Sequence, residues 1–325
     1  MEFHLDLHYT FWIAFIILVS VMLYIDLYAT DHSHHERSLK KSAIWSCIWI
    51  GVALLFNAAI YFFYDSSHHK AMEFLTCYLI EKSLSVDNLF VFIMIFHALN
   101  IKSINQPHIL KWGILGAIVF RVIFIVLGVG LITRFEWTMY IFGLILLYAA
   151  FKMLKEALSK EEKVLDLEKN RVIKFINKTF KVDTAYTGNS FFSRIDGKFA
   201  LTPLFVALIM IESADLVFAI DSIPAVLAIS QDTFIVITSN IMAILGLRAL
   251  YFVLAGMLGM FKYLKHGVAL ILLFVGVKMM LMPLHYKIPV SISLCVIFVT
   301  LTLAIVISII ALKRDQGKNI DENGS

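Results

Sequence analysis

Five long apolar runs punctuate the chain: Trp12–Ala29, Ile109–Ile132, Met139–Phe151, Phe234–Leu258 and Ile288–Leu312. A helix needs about 20 apolar residues to cross a hydrocarbon core, and several of these runs reach that length. Apolar stretches broken by charges fill the intervals. The pattern predicts an all-α polytopic membrane protein of about nine spans, near 9–29, 43–63, 71–98, 109–133, 137–155, 200–229, 233–257, 264–283 and 289–313. The sizeable polar piece is 156–198. Within it Val172, Ile173, Ile176 and Phe180 recur at helical spacing among lysines. That reads either as an amphipathic helix on the inner membrane surface or as a charged linker with a short helix. The polar tail Asp315–Ser325 is expected to be disordered.

Composition agrees: 60% of the 325 residues are hydrophobic and 16% charged, against roughly half and a quarter in soluble domains. The leader carries Glu2, His4, Asp6 and His8 rather than a basic region, so a retained first span is expected, not a cleaved signal. Cys47, Cys77 and Cys295 lack metal-type spacing, and no disulfide framework is suggested. A net charge of +4 with no basic domain does not point to nucleic acid. Cytoplasmic loops are enriched in Lys and Arg. One alternate set of loops holds Arg37, Lys40, Lys41, Lys102, Lys111, the 156–198 segment, Lys262, Lys265, Lys313 and Arg314; the other holds little beyond Lys70, Arg134 and Lys287. This predicts an outward N-terminus, a cytoplasmic C-terminus and an odd number of spans.

Three consecutive spans recur. Asp87–Phe92 is echoed by Asp215–Ile220, Arg121–Gly128 by Arg248–Ala255, and Leu144–Tyr148 with Lys152 by Leu270–Phe274 with Lys278, at offsets within about two residues of 127. A three-helix unit has an odd number of crossings, so the second copy enters from the opposite side. Such inverted repeats are common in secondary transporters, whose site lies at the repeat interface near mid-membrane. The expected organisation is two spans with a His-containing loop (1–70), a first repeat (71–155), a cytoplasmic loop with an amphipathic helix (156–199), a second repeat (200–283), and a last span with its tail (284–325).

Carboxylates interrupt the apolar pattern: Glu81 and Asp87 in the third span, Glu212, Asp215 and Asp221 in the sixth. An ionised carboxylate at the bilayer centre costs on the order of 3 kcal/mol, so five cost roughly 15 kcal/mol uncompensated. Arg121 and Arg248 are the intramembrane partners, and they leave negative charge in excess even with Lys82, Lys152 and Lys278 nearby. Structural ion pairs that lock helices together are one reading. A bound or mobile cation accounts for the excess. At about 100° per residue, Glu212 and Asp215 share a face, whereas Asp221 lies about 120° from Asp215. Pro224 removes the amide that would bond the carbonyl of Ile220, so the sixth span is expected either to break near Asp221, with Ser213 and Ser222 offering alternative bonds, or to carry a simple proline kink. An all-oxygen set that includes Asn88 and Ser85 suits Mg²⁺, Ca²⁺ or Mn²⁺. His32, His34 and His35, beside Asp31 and Glu36, read as a solvated polar loop or an accessory metal-collecting loop.

These residues carry a specific resemblance. EKSLSVDNLFVF at Glu81–Phe92 and ESADLVFAIDSIPA at Glu212–Ala225 resemble the two signatures of the TerC family. ILGLRALY at Ile244–Tyr251 and WGILGA at Trp112–Ala117 match as well, and the similarity extends over about Ser42–Met282, including Asp196-Gly197. The Alx-type branch, with its longer central loop, is the best fit, although Pro107 stands later in its loop than that pattern expects. The resemblance implies bacterial inner-membrane proteins of metal homeostasis, chiefly Mn²⁺ export, historically named for tellurium resistance. It maps the family's acidic motif positions onto Asp87, Asp215 and Asp221, with Glu81 and Glu212 as neighbours. Tellurite, an oxyanion, is itself a poor match to a carboxylate-lined site.

The expected function is a secondary transporter exporting Mn²⁺ or a similar hard cation across the cytoplasmic membrane, with proton coupling as an option. No organic cofactor is expected, and the cargo and membrane lipid are the expected partners. The alternative is a metal-binding accessory protein that serves membrane partners through the 156–198 loop. Catalysis is not expected, because no Gly-flanked intramembrane aspartyl signature and no phosphate-cradling loop is present.

Overall fold

The protein is described from a computed structural model covering residues 2–26, 39–64, 68–135, 137–158, 176, 180–183, 188–195, 198–256, 263–284, 286 and 288–322; the side chains of Asp87 and Asp221 lie outside this description. Each expected span has a helical counterpart among the described residues. These are α1 (Glu2–Tyr24), α2 (Leu39–Ala59, continued by a π-helical turn Ile60–Tyr64), α3 (His69–Ala98), α4 (Gln106–Arg134) and α5 (Thr138–Leu158). After a β-hairpin come α6 (Pro203–Leu227), α7 (Thr233–Ile244), α8 (Leu247–Gly256), α9 (Leu264–Leu281) and α10 (Val290–Glu322). Six helices (α2, α4, α5, α6, α9 and α10) are long and apolar enough to cross a membrane, seven if the bent pair α7–α8 counts as one span. α1 contributes a shorter apolar stretch, Tyr9–Tyr24. α3 is long enough, but it carries Glu73, Glu81, Lys82 and Asp87.

Local chemistry sets the helix ends. Pro107 and Pro203 stand in the first turns of α4 and α6, where a missing amide costs nothing. Asp232 caps α7 by accepting from the amides of Phe234 (3.0 Å) and Ile235 (3.4 Å). α3 ends in a Schellman arrangement: Asn100 is left-handed (φ 50°), its amide bonds the carbonyl of His97, and the amide of Ile101 bonds that of Phe96.

Two expectations need correction. α6 does not break at Asp221. It is a continuous helix through Pro224 to Leu227, because the proline stands so near the end that it orphans one carbonyl before the helix stops anyway; the amide of Ala228 still bonds Pro224 O at 3.0 Å. The break falls in the seventh span instead, at Leu245-Gly246, where Gly246 is left-handed (φ 81°) and the two halves bend by 42°. The indole of Trp49 packs so closely that a Cβ on Gly246 would lie 2.5 Å from its ring, so glycine is required there twice over. Finally, α10 runs through the tail to Glu322. A helix already nucleated in the membrane propagates into proline-free chain at little cost.

The helices pair reciprocally. α3 packs on α7, α4 on α6, α3 on α6, and α5 on α9. First meets second in both senses, and third meets third, which is the pairing that two three-helix units about a two-fold axis would make. α10 covers α3 and α9, and α2 covers α8. Around Phe234, at the start of α7, stand Phe11, Trp12 and Phe15 of α1, Phe56 of α2 and Tyr64. Their rings hold α1 against the second unit. Outward faces stay apolar: Ile16, Phe62, Leu127 and Phe298 are exposed, as a lipid-facing surface requires.

Between α5 and α6 two strands, β1 (Phe192–Ile195) and β2 (Lys198–Leu201), pair antiparallel. The predicted amphipathic helix lies largely outside the described residues; Ile176 is buried, and the amide of Phe180 bonds its carbonyl. The last part of the segment is sewn to the helix ends. Asn105 donates to Gly188 O, His108 stacks on Phe191, Thr202 Oγ1 donates to Ser190 O, and Lys181 and Asp183 bond Leu201.

The α5–α9 seam depends on two glycines. A Cβ on Gly143 would lie 2.8 Å from Met280 Cγ, and one on Gly276 would lie 3.1 Å from Leu146 Cβ. Close backbone approach through small residues is how membrane helices gain packing. Gly276→Leu is expected to lower stability by about 1–3 kcal/mol through overpacking, read as a lower Tm of the purified protein in detergent, whereas Gly130→Leu, with open space beside it, should leave Tm unchanged.

Candidate functional site: a buried arginine between two units

At the meeting point of α3, α4, α6 and α7, the side chain of Arg121 is completely buried. Its guanidinium carries five N–H donors in a fixed fork, and the structure spends most of them on polar groups from the other three helices. Nη1 pairs with Glu81 Oε1 of α3 and donates to Ser222 Oγ of α6 (3.4 Å) and Asn240 Oδ1 of α7 (3.3 Å). Nη2 pairs with Asp215 Oδ1 of α6 at 3.3 Å. Ser85, one turn from Glu81, donates to the same Oε1 at 3.2 Å. Glu81 is fully buried and Asp215 nearly so.

The site is not closed. Glu81 Oε2, Asp215 Oδ2 and Glu212 Oε2 are buried without a hydrogen-bond partner, as is Arg121 Nε. Glu212 occupies space that Gly116 leaves on α4, since a Cβ at Gly116 would lie 2.1 Å from Glu212 Oε1. Glu81 and Asp215 pair with the one guanidinium, and Glu212 stands one turn before Asp215 on α6. Beside Asp215 is a small, mostly apolar cavity, about 20 Å³, lined by Leu89, Phe92, Ile114, Leu247, Asp215 and Arg248. That is room for one water-sized particle.

Six of the sequence-picked residues converge here. Glu81, Ser85, Arg121, Glu212, Asp215 and Ser222 are brought together. Asn88 is buried on α3, and Ser213 bonds back to Ile209 O on its own helix. Asp87 and Asp221 have their backbones in α3 and α6. Among the described residues, no three His, Cys, Asp or Glu side chains form a cluster able to hold a metal. Arg248 pairs instead with Asp26 at the end of the first span, Nε to Oδ2 at 3.4 Å, both buried. His32, His34 and His35 lie outside the described residues.

Sequence reasoning missed Asp26, Asn240 and the part played by Lys82. Asp26 and Asn240 each interrupt an apolar run, which was signal enough. Lys82 Nζ donates to Ala243 O at 3.1 Å, placing a cation on the carbonyl end of α7 where the helix stops at its break.

Comparison with known proteins fits this geometry. Residues 66–316 match the family described as integral membrane protein TerC family. The chain belongs to the TerC family. Relatives include a membrane protein of Salmonella typhi, Alx, named as a candidate membrane-bound redox modulator, 42% identical over 91% of this chain and 93% of its own. Its counterpart in Escherichia coli K12 is 40% identical over the same shares. A membrane protein of Myxococcus xanthus, STKORF319, is 40% identical over 92% of each chain. No solved structure matches. The TerC match begins just before α3, so all the helices that contribute to the Arg121 cluster lie inside it, whereas Asp26 lies outside.

A second polar cluster stands at the other end of α3. Lys70, just outside the predicted span, pairs with Glu73 (3.1 Å) and Asp232 (3.2 Å), and Ser230 Oγ donates to Glu73 at 2.6 Å. Burial lowers the Lys70 pKa, but the two carboxylates outweigh it and hold it above the ordinary 10.5. Its stabilisation is therefore complete below pH 10.5 and lost as pH rises through the higher folded value. Tm measured between neutral and strongly alkaline pH should fall more steeply for the native protein than for Lys70→Met. Separately, Arg121→Leu strands two buried carboxylates and is expected to cost about 3–5 kcal/mol; adding Glu81→Gln and Asp215→Asn should restore most of the lost Tm.

Proposed function

We propose that the chain is a secondary transporter that exports Mn²⁺ or a similar hard divalent cation across the bacterial inner membrane, with its N-terminus outside. One observation carries the reading: three buried carboxylate oxygens without partners, on Glu81, Asp215 and Glu212, beside a single guanidinium between two repeat-like units. Oxygen donors in negative excess suit hard cations. Asp87 and Asp221, carried by the same two helices, supply further ligands, and Arg121 neutralises the site when it is empty. The units are inverted repeats, and exchange of access runs along the α4–α6 and α3–α7 contacts. Glu212, next to Asp215, is the carrier for counter-transported protons. The redox modulation named for the relatives fits movement of a redox-active metal.

A second reading has its own support. Phe192 and Phe199 of the hairpin stack at 5.1 Å, and both are exposed. An aromatic surface on the central segment suits a metal-binding accessory protein that docks insertion, secretion or metallation partners there. Replacing Phe192 and Phe199 together by Ser separates the readings, because a transporter keeps measurable flux, whereas a scaffold loses its partners while its metal site survives.

The direct test is flux into or out of liposomes loaded with a divalent-ion indicator, comparing Mn²⁺, Mg²⁺ and Ca²⁺ with and without a pH gradient. Native protein should move Mn²⁺, and Asp87→Asn and Asp221→Asn should each reduce the rate by about 10²-fold or more, as loss of a ligand in a closed site does. Wild-type flux in both variants would rule out this mechanism.

A further inference from the structure

The paired strands between α5 and α6 present one face outward. In their register Phe192 stands opposite Leu201 and Arg194 opposite Phe199. Opposite residues share a face of a sheet, as do residues two apart on one strand. Phe192, Arg194 and Phe199 therefore point the same way, and all three are exposed. Lys198, at the start of β2, is exposed as well. Asp183 serves the other face, where it accepts from Ser193 Oγ at 2.9 Å, and Asp196 lies outside the described residues. The exposed rings also continue the lipid-facing stripe of α6. Phe192 packs on Phe205 of α6 with ring centroids 4.8 Å apart. At about 100° per residue, Phe205, Ile209, Leu216 and Ile220 lie within about 60° of one another, and Leu216 and Ile220 are exposed.

We infer that this face is a binding site for anionic phospholipid at the bilayer surface: Phe192 and Phe199 enter the boundary between headgroups and acyl chains, and Arg194 and Lys198 hold the phosphate. Exposed aromatic rings beside cations are the chemistry of a segment that lies in a membrane interface. A guanidinium offers a phosphate two parallel donors, and a lysine adds a compact charge. A zwitterionic headgroup gains less, because its own ammonium competes for the phosphate. Depth agrees with the assignment. α6 begins at Pro203, directly after β2 and Thr202. Glu212 lies about 14 Å further along the helix and Asp215 about 18 Å, at 1.5 Å per residue. Half of a hydrocarbon core is about 15 Å, so strands at the headgroup boundary leave both carboxylates at mid-membrane. Lipid held on the strands thus fixes the depth at which α6 carries its acids.

The test uses the full-length protein in nanodiscs of phosphatidylcholine, a minor share of which is replaced by brominated phosphatidylglycerol or by brominated phosphatidylcholine. Phe199→Trp adds one indole to the five native tryptophans, whose own quenching is measured in the unsubstituted protein and subtracted. Both brominated lipids should quench the added emission, phosphatidylglycerol about threefold or more strongly than phosphatidylcholine. Arg194→Gln with Lys198→Gln on the same background should remove that preference while quenching by brominated phosphatidylcholine persists. Phe192→Trp should behave alike, and it decides the matter should Phe199→Trp fail to fold. An added indole that neither lipid quenches stands clear of the bilayer, as a surface kept for a protein partner would, and overturns the inference. Equal quenching by the two lipids, or a preference that survives loss of both cations, overturns it as well. No outcome depends on Mn²⁺ flux, so the transport reading stands or falls separately.

Discussion

A guanidinium cannot be left alone in hydrocarbon, and much of the architecture follows from how Arg121 is satisfied. Its partners come from three other helices, so α3, α4, α6 and α7 hold one relative position or leave a charge unpaired. Removing one member of a buried pair costs far more than the pair itself contributes, which makes the cluster a strong determinant of register between helices that are otherwise smooth and apolar. Around it the sequence makes room. Gly116 admits Glu212, and Gly113 brings α4 close to Ile211 of α6. A purely structural clamp would be saturated. This one retains three carboxylate oxygens without a hydrogen-bond partner.

The two units share a pairing scheme but not a shape. The first unit's second helix, α4, is continuous for 29 residues; its counterpart is two short helices joined at Gly246. A break inside a membrane leaves carbonyls and amides without their helical partners, tolerable only where protein covers them. Here Lys82 covers one carbonyl, Trp49 fills the notch, and α2 lies along the second half. The N-terminal pair of helices therefore supports the irregular unit. The aromatic collar from α1 and α2 around Phe234 holds the other half in place.

Much of this was legible in the sequence. Apolar runs placed the middles of the described helices, although α1 begins seven residues before its expected span and α10 runs nine beyond it. Six or seven of the described helices, rather than nine, are long and apolar enough to cross by themselves. Carboxylates and arginines inside those runs marked the site, because nothing cheaper than function or pairing keeps them there. The direction of each partnership was not legible. Periodicity says that Arg248 faces protein, not that it faces α1 rather than α6. Pro224 misled because proline's cost depends on how much helix follows it, and only a few residues do. Gly246 carried the real break, but an isolated glycine in an apolar run does not show its φ. The hairpin was the most recoverable omission: Asp196-Gly197 between Phe192–Ile195 and Lys198–Leu201 is a strong two-residue turn signal.

That hairpin stands at the end of the connection from α5. Among the described residues, Leu201 of β2 bonds Lys181 and Asp183, while Asn105 and Thr202, at the starts of α4 and α6, donate to Gly188 O and Ser190 O. α6, with its three acidic residues, thus begins on a piece of sheet that is also tied to the start of α4. A change in the hairpin is therefore felt first at the carboxylate-bearing helix, so that a few residues of strand set where a long apolar helix begins.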